Sequence, residues 1–143
     1  MMKGLDLAKY ILQNSSERLS NLELQKTMYF AELDYYKTKK KHLLDGDFEA
    51  WQYGPVVPDV YWEYRNYGAS FIDRPKETIS VSDEDKKIIN ASIERSNGKE
   101  SWDLVKESHR EDGAWRETIN AKRAIIDKEL IQKEAEKYGN NDN

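Results

Sequence analysis

The chain contains no cysteine, and its 143 residues include only three prolines and seven isolated glycines. Without thiols there is no disulfide framework, no thiolate zinc site and no cysteine nucleophile. This fits a reducing compartment, so a cytoplasmic location is expected. A phosphate-cradling loop needs clustered glycines, and none cluster here. No apolar run approaches the ~20 residues of a membrane span, and the mean hydropathy is −0.95. Asp6 and Lys9 interrupt the stretch from Leu5 to Leu12, where a signal peptide requires unbroken apolar sequence. A one-sided positive charge is missing as well. The net charge is −4, with 10 basic and 11 acidic residues in 1–75, and 13 and 16 in 76–143. A nucleic-acid partner is therefore not expected.

Aliphatic side chains are scarce. Leu, Ile, Val and Phe together make up 29 of the 143 residues, close to the composition of disordered chains. Sixteen aromatic residues offset this, and twelve of them lie between Tyr29 and Phe71. The length suits one domain.

Apolar residues at helical spacing predict a first helix over Leu5, Ala8, Ile11 and Leu12. Ser20 and Glu23 form a capping box, and Leu19 and Leu24 can close a hydrophobic staple around it. The helix that follows is predicted to reach about Lys37, with Leu24, Thr27, Met28, Ala31 and Tyr35 on one face. Asp47 to Tyr53 reads as a strand ended by Gly54-Pro55, and Pro58 starts a helix that Gly68 stops. Ile79 to Val81 is predicted as a second strand pairing with the first. Ser82 caps a helix ending at Asn97-Gly98, and Ser101 caps a short one. His109 to Trp115 reads as a loop, and a last helix carries Ala121, Ala124, Ile125, Ile131, Ala135 and Tyr138. The expected fold is mainly α with a small antiparallel β-sheet (α+β), a single compact domain over 1–138 with a frayed tail at 139–143.

Little of this is catalytic. His42, Asp45 and Asp47 form an incomplete ligand set for a metal. Ser108 and His109 are adjacent and so point apart, although a third residue such as Glu111 or Asp112 leaves an enzymatic reading of His109 to be tested. Lys37, Lys39, Lys40 and Lys41 suit a solvated helix C-terminus. No catalytic residue, metal or cofactor is assigned. The aromatic block is too large for one small core. Trp and Tyr anchor protein interfaces, so Trp51, Tyr53, Pro55, Val57 and Trp62 are the expected partner-binding or contact-supporting residues.

Leu24-Gln25-Lys26-x-Met28-Tyr29-Phe30, the run Phe48-Glu49-Ala50-Trp51-Gln52-Tyr53-Gly54-Pro55-Val56-Val57-Pro58, and Ser108-His109 followed by Ala114-Trp115 resemble the motifs of the Panacea (SocA-like) antitoxin domain. In the third motif Ser stands for Thr, Ala for Pro, and the spacing is one residue longer than the family's T-H-x-x-x-P-W. The resemblance covers about residues 5–130. It implies a phage-associated antitoxin whose partner is a cognate protein toxin, neutralised by direct binding. The alternative it implies is an adaptor that delivers the toxin to a ClpXP-type protease. It also implies that Trp51, Tyr53 and Tyr61 belong to the core, which leaves Trp62 and Tyr67 as the outward candidates.

Overall fold

The computed structural model describes residues 1–140, apart from the side chains of Ser101 and Trp102. Residues 141–143 of the expected tail lie outside the described residues. Gly139 and Asn140 are tied down, the Asn140 amide donating to Asp34 Oδ1 at 2.7 Å.

A short strand β1 (Met2–Lys3) leads into α1 (Gly4–Asn14), and the central helix α2 spans Asn21–Lys39. The predicted capping box is present at its start. Ser20 Oγ accepts from the Glu23 amide at 3.2 Å, and Glu23 Oε1 accepts from the Ser20 amide at 3.0 Å. The helix is buried on every side from Leu24 to Tyr35, because α1, α4 (Asp83–Asn97), α5 (Ser101–Ser108) and α7 (Lys128–Tyr138) all pack on it. A central helix of this kind shows no amphipathic stripe. It places Gln25, Lys26, Glu32 and Asp34 in the interior, so each needs a partner there.

The sheet differs from expectation. Ile79 to Val81 forms no strand. The partner of β3 (Glu49–Trp51) is β4 (Gly54–Val56), so Gly54-Pro55 opens the second strand of a tight hairpin, with Trp51 opposite Gly54. Gly54 takes φ +123°, which is open to glycine and strained for other residues. The other edge of β3 is covered from the C-terminal part of the chain. The Ala50 amide donates to the Ala124 carbonyl at 2.8 Å, and the Ile126 amide to the Phe48 carbonyl at 3.0 Å. Ala124 to Ile126 is therefore paired with β3 rather than part of a last helix, and Ala121 and Lys122 form the turn before it. The predicted last helix keeps only its second half, as α7, and a further helix, α6 (Ala114–Asn120), starts inside the segment expected to be a loop and ends before Lys122 enters the left-handed region at φ 57°.

Further short elements complete the fold. Strand β2 (Leu44–Asp45) pairs in parallel with β1, α3 spans Pro58–Glu63, and a 3₁₀ turn covers Arg65–Tyr67. Ser82 caps α4 as predicted, its Oγ accepting from the Asp85 amide at 3.2 Å. The residue at the cap of α5 is Glu100, not Ser101. The protein is mainly helical with a small antiparallel sheet. No described helix is long and apolar enough to cross a membrane.

Candidate functional site

The hairpin turn from Trp51 to Gly54 is gripped by buried polar side chains from distant parts of the chain. Gln25 Oε1 accepts from the Val57 amide at 2.9 Å, and its Nε2 donates to Asn21 Oδ1 at 3.1 Å. Asn21 Nδ2 in turn donates to the Tyr61 carbonyl at 3.1 Å. This relay from α2 fixes the chain entering α3. The next residue, Lys26, is 0% exposed and donates its ammonium to the Tyr53 carbonyl. Among the described residues it pairs with no carboxylate. Burial pushes its pKa down to about 7, because the charged form loses its hydration.

The loop after α5 grips the same turn. His109 lies flat on Trp115, with its ring near the Tyr53 carbonyl. Trp115 Nε1 donates to the Trp51 carbonyl at 2.7 Å. Burial lowers the His109 pKa, and the Lys26 and Arg116 cations add to this against the opposing effect of the Tyr53 carbonyl. A Cβ at Gly54 would overlap the Lys26 ammonium and lie 2.8 Å from Ser108 Oγ, so only glycine fits. Gln25, Lys26, Gly54, Ser108, His109 and Trp115 thus converge on one turn.

The turn and the adjacent α3 together display a cluster of rings. Trp51 and Tyr61 meet edge to face at 4.9 Å between centroids, Tyr61 and Trp62 at 5.4 Å, and Trp51 and Trp62 at 6.1 Å. Such contacts hold rings in place at about 0.5–1.5 kcal/mol each. Beside them a groove of about 390 Å³ is lined by Asn21, Leu22, Gln25, Trp51, Tyr53 and Tyr61, among others.

Of the five residues singled out in the sequence, Trp62 and Tyr53 are exposed, at 52% and 58%. Trp51 is half-buried, and Pro55 and Val57 are buried beneath the surface rings. Tyr53 therefore does not join the core. Trp51 and Tyr61 are half-buried rather than enclosed. Tyr67 is half-buried too, its hydroxyl donating to Asp73 at 3.2 Å. The sequence reading missed Tyr61 as a member of the surface cluster and Gln25 and Lys26 as its supports. The available signal was two adjacent polar residues inside an otherwise apolar helical run.

The other candidates are occupied locally. His42 Nδ1 sits 3.3 Å from Glu32 and its Nε2 is 2.9 Å from Gln132 Nε2. No group of three or more His, Asp or Glu among the described residues could hold a metal. Ser108 Oγ is fully buried and donates to the Val105 carbonyl at 2.9 Å, so it makes no nucleophile–base pair with His109. Asp112 accepts from the Tyr138 hydroxyl at 2.7 Å. Lys37 and Lys40 pair with Glu136, and Lys39 with Glu84, which neutralises most of the basic run.

The model of the family described as antitoxin SocA-like, Panacea domain, matches residues 24–116. These residues contain Gln25, Lys26, Gly54, Ser108, His109 and Trp115, whereas Asn21 lies just before them. The protein named Antitoxin SocA from Caulobacter vibrioides (strain NA1000 / CB15N) is 44% identical over 54 residues, which cover 38% of this chain and 29% of that protein. The matched segment thus spans less than a third of that relative's length. No solved structure matches the chain.

Proposed function

The chain belongs to the SocA-like Panacea antitoxin family, and from that membership we propose that it neutralises a cognate protein toxin by direct binding in the cytoplasm. The observation that carries this reading is the surface cluster formed by Trp51 and Tyr53 of the hairpin with Tyr61 and Trp62 of α3, above a turn held from within by Lys26 and Trp115. Exposed aromatic rings on a rigid support are what interface hot spots are made of, since they lose little entropy on binding. An interface of about 800 Å² per partner centred there is enough to block a toxin's working surface. No catalytic step is needed.

The test is coexpression with the product of the adjacent gene. That product should arrest growth alone and be tolerated together with this protein. It should again arrest growth when Tyr53 and Trp62 are both replaced by Ala. A neighbouring product that is harmless alone removes the basis of the reading. A toxin that disappears when the antitoxin and a ClpXP-type protease are both present, instead of persisting in an inactive complex, replaces sequestration by delivery to the protease.

A further inference from the structure

The last turn of α4, the solvent side of α5 and the end of α7 surround an open cleft of about 610 Å³. Arg95, Lys99, Lys106 and Arg110 line it against one carboxylate, Glu107. In a chain of net charge −4 this is a local reversal of sign. Internal pairing uses only part of it. Arg95 is engaged by the buried Asp34 at 3.0 Å, and Lys99 pairs with Glu107. Arg110 is 4.0 Å from Glu107, and its guanidinium lies 3.9 Å from the centre of the Tyr138 ring. Lys106 is exposed and has no ion-pair partner among the described residues. Lys106 is thus the cation of the cleft left without an internal partner, and Arg110 is held only loosely by the carboxylate that Lys99 already engages.

We propose that this cleft docks an acidic segment of the protein partner, whose carboxylates meet Lys106 and Arg110. The proposal rests on the antitoxin reading for the nature of the partner, and adds a second contact separate from the aromatic cluster. The chemistry favours a polypeptide over a compact phosphate. The cations stand on long side chains spread over α4, α5 and the loop after it, and the cleft is wide open. No glycine-rich turn gathers backbone amides towards one point: the Gly139 amide is already committed to the Ala135 carbonyl at 2.8 Å. Spaced carboxylates on an extended chain match spaced cations, and such complementarity sets register and speeds encounter. Arg110 directly follows His109, so one short loop joins the cleft to the anchor of the hairpin.

The experiment uses the full chain and a fluorescein-labelled decaglutamate peptide, read by anisotropy at low ionic strength. Saturable binding is expected, weakening as salt is raised to screen it. Lys106→Glu should lower the affinity about tenfold or more, as like charges oppose docking. Lys106→Gln should give an intermediate loss, and Trp62→Ala none. Circular dichroism confirms that each variant is folded. The proposal is overturned by no peptide binding, by equal binding to wild type and Lys106→Glu, or by pyrophosphate displacing the peptide at far lower concentration than free peptide does. The assay contains no toxin, so its failure leaves the antitoxin reading standing. A harmless neighbouring gene product would, conversely, leave a positive peptide result unexplained by that reading.

Discussion

The imidazole of His109 lies parallel to the indole of Trp115, with ring centroids 3.7 Å apart and planes inclined by 4°. The stack closes although the loop between them is one residue longer than the family pattern, and although Ala114 stands where that pattern has proline. The alanine has a consequence. Its amide donates to Glu134 Oε1 at 2.8 Å, and the same oxygen accepts from the Tyr29 hydroxyl at 2.7 Å. A proline has no N–H to give. The substitution thus adds a tie between the start of α6 and the buried carboxylate of α7, next to the bond from Trp115 to the Trp51 carbonyl.

Replacing Ala114 by Pro tests that tie. Proline suits the first position of a helix, so backbone strain is not the issue. The loss of one donor to a buried carboxylate should cost about 1–3 kcal/mol. Burial raises the Glu134 pKa, with Tyr29 and Ala114 opposing the rise, and without Ala114 it should rise further. Urea unfolding at neutral pH reads the loss. An unchanged midpoint would show that the Ala114–Glu134 bond adds nothing.

His109 should act on stability in acid. Its folded-state pKa lies below the ordinary value of 6.5, chiefly through burial. Above about pH 6.5 the ring is neutral in both states and its stabilisation is complete. As the pH falls through 6.5 the unfolded chain takes up the proton first. Stability then declines by at most about 1.4 kcal/mol per pH unit until the folded-state pKa is passed. In His109→Gln this component of the slope should vanish between pH 5 and 7, and toxin neutralisation should weaken only as the hairpin loosens. A His109→Gln slope identical to wild type in urea titrations would assign the acid response to other groups.

Which parts of this were legible beforehand follows from where each signal resides. The capping box at Ser20 and the simple cap at Ser82 are local chemistry, and both helices begin there. The hairpin register is not local. Gly54-Pro55 reads as a terminator, yet it starts β4 because Lys26 and Ser108, distant in sequence, leave space only for glycine at that turn. Ala124 to Ile126 continues a helical spacing and is drawn into extended pairing with Phe48 and Ala50, a tertiary contact that periodicity cannot register. At the surface, the choice of Trp51, Tyr53 and Trp62 rested on residue type. Which rings face outward depends on the hairpin register and on the packing of α3 against it, and so residue type names Tyr53 as a contact residue while the family resemblance places it in the core.

Lys26 should reduce stability at neutral pH. Its folded-state pKa of about 7 is well below the ~10.4 of a free lysine. Above ~10.4 the amine is neutral in both states. As the pH falls from there towards 7, the unfolded chain binds the proton first and stability drops by up to about 1.4 kcal/mol per unit, then levels off. Lys26→Met, of similar length, removes that penalty, while Trp115 still holds the turn through the Trp51 carbonyl. The variant should equal or exceed wild type at pH 7, and its advantage should shrink by pH 9. A gap that does not change with pH would contradict the assigned titration.

Gly54→Ala should be severe. The residue must hold φ +123°, and its new methyl would overlap the Lys26 ammonium. Backbone strain of about 1–3 kcal/mol adds to the displacement of a fully buried cation. Thermal unfolding should show a large drop in Tm, and neutralisation should fall with it. A stable Gly54→Ala protein would mean that the turn can reform elsewhere.

Trp62→Ala separates binding from folding, which Gly54→Ala cannot. Trp62 is 52% exposed, and its ties to the domain are the edge contacts to Trp51 and Tyr61. Removing them should cost about 1 kcal/mol of stability, within what a folded domain tolerates. If the ring is an interface anchor, its loss should cost the complex about 2 kcal/mol or more, roughly thirtyfold in affinity. The expected pattern is a protein with a near-normal Tm that no longer rescues cells from the toxin. The control is Glu117→Ala, an exposed residue on α6, which should leave both properties unchanged. Full rescue by Trp62→Ala would move the binding surface off the hairpin rings, and partial rescue restored by Trp62→Phe would locate the contribution in the aromatic face itself.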